Sequence, residues 1–193
     1  VSSLLGWIKL LRDKKSDRIT ILNSMDDDVL RLSEISERFS KIGSQPKLKE
    51  IVVSELISEV ADYMKNRLPN QSGVEINFTG NSNINIQGDW VLLRWAVENL
   101  MKNAIDAMGT KNGVISIDLR KTEAGIQLDV SDTGKGIPRV DWKNIFRPGH
   151  SSKPRGWGLG LSLTQRIIEE IHGGSIKVLQ SKPGKTIFRL YFP

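Results

Sequence analysis

Asn99 and Asn103 stand four residues apart in the run "VENLMKNAIDAM", with Asp106 three residues further on. In a helix that spacing sends all three side chains out on one side. Asparagine is a poor helix former, so two of them in mid-helix call for a reason. Their carbonyl oxygens suit a hard cation such as Mg²⁺, which keeps several waters and shares substrate phosphates. A polar border that merely solvates the helix would use the same residues. A second group lies at "DVSDTGKGI", where Asp132 ends a strand-like stretch and Gly134 and Gly136 follow. A carboxylate there can accept a hydrogen bond from an exocyclic amine, as on adenine, while the glycines let a flat base approach the backbone. Asp-x-Gly is also a common turn at strand ends. The third group is "RGWGLGLSL", in which Gly156, Gly158 and Gly160 alternate with Trp157, Leu159 and Leu161. Bare backbone at a helix start offers free N–H donors to an anion, although a tight strand-to-helix connection also uses glycine.

The elements that must carry these groups can be read from periodicity. "ELISEVADYMKNRL" is helical, with Leu56, Val60, Tyr63 and Leu68 on or near one face. "VEINFTG" and "INIQG" alternate like strands. "DWVLLRWAVENLMKNAIDAM" is the strongest helix, with Asp89 as N-cap and a stripe of Leu93, Val97, Leu100, Ala104 and Ala107. A hairpin is expected around Thr122–Gly125, then a long Gly- and Pro-bearing stretch from Thr133 to Gly156, a helix over 159–172, and two strands, "SIKVLQS" and "KTIFRLYF". Strands interspersed with helices and hairpins predict an α/β (α+β) sandwich, a mixed sheet covered by helices. Upstream, residues 4–42 read as two helices joined near "RDKKSD". In the second, Ile19, Leu22, Val29, Leu32, Phe39 and Ile42 recur at roughly helical intervals, interrupted by Asp26, Asp27 and Asp28. Two helices cannot enclose a core alone, so a second copy that completes a four-helix bundle is expected. "GSQPK" stops that hairpin, dividing the chain into 1–43 and 46–193.

Composition narrows the function classes. The 193 residues carry a net charge of +6, but the basic residues are scattered, with no aromatic-basic platform, which weighs against nucleic acid. The absence of cysteine removes disulfides, thiolate chemistry and cysteine-ligated metal. No apolar run approaches the roughly 20 residues of a membrane span, so any membrane attachment is expected in parts of a parent protein outside this chain, and the chain itself is expected to be cytoplasmic.

Taken in order, "ENLMKNAIDAM", "DTGKGI", "WKNIFRPGHSSKPRGWGLGLSL" and "PGKTIF" resemble the N box, first glycine box, F box with lid and second glycine box, and final glycine-threonine element of two-component sensor histidine kinases. Four ordered motifs are far more specific than any one of them. The resemblance covers about residues 46–193 and implies the ATP-binding fold shared with DNA gyrase, a heat-shock chaperone and the mismatch-repair clamp. Residues 1–43 resemble the preceding dimerisation and phosphotransfer hairpin. The resemblance implies ATP and Mg²⁺ as cofactors, with Asn103 as metal ligand and Asn99 close by. It implies that Asp132 bonds the adenine amine, that Gly134, Gly136 and Ile137 shape the purine pocket, and that Thr186 lies near the base. Residues 147–155 would be a lid braced by Phe146, with Lys153 on phosphate and Arg155 on phosphate or facing solvent. Gly156, Gly158, Leu159, Gly160 and Leu161 would line the phosphate side. A homodimer through the hairpin and a response-regulator receiver domain are the implied partners.

In the ATP-hydrolysing relatives a glutamate stands four residues before the Mg²⁺ asparagine and acts as base. Here that position is Asn99, which cannot take a proton at neutral pH. Glu98 is adjacent but turned by about 100° round the helix. Another group is then expected to supply the nucleophile; the resemblance implies a histidine as the first expectation, with an ATPase or serine-kinase-type relative of the same fold the second. Only His150 and His172 are present, one in the lid and one at a helix end. The family's acceptor belongs to a His-Glu-x-x-x-Pro segment, expected shortly upstream of Val1, the rival expectation being a protein that carries none.

Overall fold

The structure, a computed structural model, describes residues 18–26, 29, 33, 46–68, 73–81, 83–109, 112–151 and 158–193. The chain divides into two compact units, Val1–Pro46 and Lys47–Pro193. In the first, residues 18–26 are helical, with Ile21 buried and Ile19, Leu22 and Val29 at 71%, 50% and 52% exposure. The rest of the expected hairpin, including Leu32, Phe39 and Ile42, lies outside the described residues.

The second unit runs β1 (Lys49–Val52), α1 (Val53–Arg67), β2 (Val74–Gly80), β3 (Asn85–Gly88), α2 (Trp90–Met108), β4 (Gly113–Thr122), β5 (Gly125–Asp132), α3 (Gly160–Arg166), β6 (Ser175–Lys182) and β7 (Lys185–Phe192). Two short 3₁₀ turns, Arg139–Asp141 and Asn144–Phe146, fall between β5 and α3. The main sheet has the order β2-β4-β5-β7-β6, in which only β2 and β4 run parallel. This is the mixed, helix-covered sheet that the sequence leads one to expect.

Alternation along the strands decides which face is covered. Ile115, Ile117 and Leu119 of β4, Ile126, Leu128 and Val130 of β5, and Phe188, Leu190 and Phe192 of β7 are all buried. Against them lies α2, whose Leu92, Leu93, Ala96, Val97, Leu100, Met101 and Ala104 are buried, and α1 adds Leu56, Ile57, Val60 and Met64. Each such side chain contributes about 1.5–3 kcal/mol when removed from water, so α2 is anchored along most of its length. Its start is fixed by the expected cap: Asp89 Oδ1 accepts from the N–H groups of Val91 (3.1 Å) and Leu92 (3.2 Å).

Two features depart from the sequence reading. The four residues of β1 pair antiparallel with β3 in a small second sheet, Lys49 opposite Gly88 through Val52 opposite Asn85. The run Lys49-Glu50-Ile51-Val52 places two charged residues before two apolar ones and does not alternate, so periodicity does not find this strand. The helix expected over 159–172 is α-helical only to Arg166 and continues as a π turn over Ile167–Ile171. His172 closes that turn. Its Nδ1 bonds Ile167 O at 2.7 Å and its Nε2 accepts from the Asp89 N–H at 3.0 Å, which joins the end of the α3 segment to the cap of α2.

Candidate functional site

Helix α2 is the spine of the site. Asn99, Asn103 and Ala107 succeed one another at one-turn intervals on one side of it, spanning about 12 Å of helix rise. At the first position Asn99 Nδ2 donates to Thr164 Oγ1 at 2.9 Å. Gly160 is in contact here: a Cβ on it would overlap Asn99 Oδ1 and lie 3.0 Å from Nδ2. Gly160 thus lacks a side chain because α3 approaches α2 at the amide of Asn99. At the third position a Cβ on Gly134 would stand 2.6 Å from Ala107 Cβ and 2.8 Å from its carbonyl carbon. Lys135 N donates to Ala107 O at 3.0 Å as well. Asn103 lies between these two contacts, half-buried. The amide pair, the loop after Asp132 and the start of α3 are therefore brought to one flank of one helix.

Asp132 is 6% exposed at the last position of β5. Its Oδ1 accepts from the Gly134 N–H at 2.8 Å. Burial pushes its carboxyl pKa up, and the Gly134 N–H only partly offsets this. Thr186, 2% exposed, is its cross-strand neighbour on β7. The Thr186 hydroxyl is hydrogen-bonded at 3.0 Å to Ser181, whose Oγ accepts from the Ile137 N–H at 2.7 Å. Gly184 N donates to Gly134 O at 2.8 Å, and a Cβ on Gly136 would stand 2.7 Å from the Lys182 carbonyl carbon. The loop over 133–137 is thus suspended between the end of α2 and the β6–β7 turn. Asp132 is a buried acceptor with a hydroxyl on the neighbouring strand beside it.

Beyond this loop Trp142 Nε1 donates to Ile137 O at 3.1 Å, and Phe146 packs edge-on against Phe188 with ring centroids 6.3 Å apart. The second glycine segment is only partly described. Lys153, Arg155 and Gly156 lie outside the described residues. Gly158 has φ +65° and its O accepts from the Gly149 N–H at 3.0 Å. Leu159 and Leu161 flank Gly160 and are half-buried. His172 is 9% exposed with both ring nitrogens engaged, which removes it as a phosphoryl acceptor.

Two participants, Thr164 and Ser181, lie outside the sequence motifs, and a third, Ala107, lies inside the first motif without standing out in it. Ala107 reads as one more apolar stripe residue, and the contact that distinguishes it comes from a loop 27 positions later. Thr164 and Ser181 act through tertiary hydrogen bonds of a kind no local spacing reveals. Among the described residues no group of three or more His, Cys, Asp or Glu could hold a metal ion, so a cation here would depend on amide oxygens and the ligand's own phosphates. Among them, too, no helix is long and apolar enough to cross a membrane.

Comparison with known proteins gives the family. Sporulation kinase C of Bacillus subtilis is 27% identical over 197 residues, covering 100% of this chain and 45% of that protein. Sensor histidine kinase ZraS of Escherichia coli is 37% identical over 125 residues, 64% of this chain and 26% of that one. The chain thus spans less than half the length of these curated relatives. The solved catalytic domain of histidine kinase ThkA superposes with a TM-score of 0.69 at 29% identity, covering 76% of this chain and 95% of that one. The structure of ThkA in complex with the response regulator protein TrrA matches with a TM-score of 0.73 at 25% identity, over 100% of this chain and 57% of that one. The family of histidine kinase-, DNA gyrase B- and HSP90-like ATPases matches residues 88–193, from the cap of α2 to the end of β7. With ATP as the family's ligand and sensor kinases as its relatives, this chain belongs to that ATPase family.

Proposed function

We propose that the chain is the ATP-binding core of a sensor histidine kinase, which holds Mg²⁺-ATP along α2 and presents its γ-phosphoryl group to a histidine imidazole. The observation that carries this reading is the flank of α2, where Asn99 meets Gly160 and Thr164, Ala107 meets Gly134, and Asn103 lies between. Asp132 accepts the adenine amine with Thr186 beside it. Asn103, with Asn99 close by, takes the Mg²⁺ and the phosphates. An amide donor set fits that ion, because Mg²⁺ prefers hard oxygens and retains its waters. When bound, it neutralises phosphate charge. In the transfer the bond from the γ-phosphorus to the bridging oxygen breaks, a nitrogen–phosphorus bond forms, and the bond electrons leave with ADP. Lys153 and the backbone of Gly156, Gly158 and Gly160 serve the phosphate side.

Asn99 favours this over hydrolysis, since an amide in the place of a basic glutamate cannot activate water. The acceptor is not His172, whose ring is buried and bonded. It lies on a hairpin of the His-Glu-x-x-x-Pro kind, and the product passes to a receiver aspartate, as the pairing of ThkA with a response regulator suggests. The exposed Ile19, Leu22 and Val29 of the first unit favour a homodimer formed by that unit. The test is incubation with γ-labelled ATP and a separate hairpin carrying the His-Glu-x-x-x-Pro segment. Acid-labile label on the hairpin is expected. Free phosphate release with no labelled hairpin would point to the ATPase reading.

A further inference from the structure

Thr164 is 1% exposed, one turn into α3, and belongs to none of the motifs above. A buried hydroxyl needs partners for both its proton and its lone pairs. The proton goes to Gly160 O at 3.0 Å, the common back-bond of a helical threonine. A lone pair is then left to accept, and Asn99 Nδ2 supplies the donor at 2.9 Å. The two bonds together have a polarity, running from Asn99 through Thr164 to Gly160.

That polarity matters because a carboxamide is nearly symmetric in shape and opposite in chemistry at its two ends. Turned over, Asn99 would point Oδ1 at the oxygen of Thr164, and the hydroxyl would have to abandon Gly160 O to restore a bond. As built, the amino end is occupied and the carbonyl end lies over the Cα of Gly160, where a Cβ would overlap it. Bare backbone at 160 therefore leaves the carbonyl oxygen its place. A cation or a water bound to one takes an oxygen and is repelled by an amino group.

We infer that Thr164 is a positioning residue that holds the Asn99 carboxamide with its carbonyl oxygen, and not its amino group, toward the Mg²⁺-nucleotide. This rests on the placement of Mg²⁺-ATP proposed above. The residue touches no ligand itself. Its effect passes through Asn99 and is confined to the metal-dependent part of binding.

The test uses the full chain and a fluorescent ATP analogue, titrated once with Mg²⁺ and once with a chelator. Thr164→Val keeps the shape and loses the hydroxyl, whereas Thr164→Ser keeps the hydroxyl and loses a methyl. Loss of one buried hydrogen bond is on the order of a tenfold change in affinity. Thr164→Val is expected to weaken Mg²⁺-dependent binding by about that factor, with binding in chelator unchanged and Thr164→Ser like the parent. Should the Val variant fail to fold, Thr164→Ala against Thr164→Ser gives the same comparison, since that pair differs by the hydroxyl alone. Equal Mg²⁺ dependence with and without the hydroxyl overturns the inference, as does a Ser variant weaker than the Val variant, which would mark a packing role. Asn103→Ala in parallel separates the two readings. If it binds as the parent does, the proposed metal placement fails; if it loses binding while Thr164→Val does not, only the inference about Thr164 fails.

Discussion

At the scale of single residues, Asp132, the proposed acceptor for the adenine amine, shows how a group placed for binding can weaken the fold that carries it. Burial raises its carboxyl pKa, so the folded state disfavours the ionised form. The sign follows from linkage: a folded-state pKa above the unfolded value gives stability below the unfolded pKa, which is lost as pH rises through the folded one. Asp132→Asn keeps an oxygen for the Gly134 N–H and removes the buried charge. The ligand-free variant is expected to melt no lower than the parent at neutral pH, and its nucleotide affinity to fall roughly 10- to 100-fold. Scanning calorimetry with a binding titration reads both, and a variant that melts lower yet binds normally would make Asp132 structural. His172 has the opposite sense. Burial lowers its pKa, against the Ile167 carbonyl bond and the Asp89 charge, which raise it. Its contribution is complete above the unfolded value near 6.5 and is lost as pH falls through the lower folded value. A protonated Nε2 cannot accept from Asp89 N–H. Thermal melts from pH 7.5 down to 5 should show an acid destabilisation that His172→Gln reduces.

At the scale of elements, local pattern and tertiary contact contributed differently to what could be read. Helix α2 was legible from its cap, its apolar stripe and its asparagine pair, because all three repeat within one turn or two. Strands β2, β3 and β4 to β7 were legible from alternation and glycine punctuation. The β1–β3 pair and the bonds of Thr164 to Asn99 and of Ser181 to Ile137 were not, since each joins residues tens of positions apart, and the π turn leaves no mark in the apolar spacing. The far face of the sheet gives another case. Asp129 of β5 accepts two hydrogen bonds from Arg189 of β7, from Nε and from an NH2 group, both at 2.7 Å. Asp118 of β4 stands opposite Asp129 and pairs with Arg120. Asp129 is buried, so removing it takes both hydrogen bonds from the Arg189 guanidinium and leaves only the Asp118 carboxylate to offset its charge. Asp129→Ala is expected to cost about 1–3 kcal/mol in urea unfolding while leaving nucleotide affinity within a factor of about two, because the pair lies on the face opposite α2. A large loss of affinity without loss of stability would contradict that separation.

At the scale of the whole molecule, the two compact units imply a division of labour. Residues 47–193 contain the buried sheet-and-helix core and every described residue of the site. Expressed alone, this unit is expected to fold cooperatively, bind nucleotide as the full chain does, and remain monomeric. The full chain is expected to be a dimer by light scattering, through the unit that bears Ile19, Leu22 and Val29. A dimeric 47–193 would relocate that interface. The central claim is that one flank of α2 and the loop after Asp132 hold a single Mg²⁺-ATP. Calorimetric titration of ATP into the full chain with Mg²⁺, repeated on Asn103→Ala and Asp132→Asn, tests it most directly. One ATP per chain is expected, with heat of binding lost or strongly reduced in both folded variants. Unchanged affinity and stoichiometry in both would contradict it.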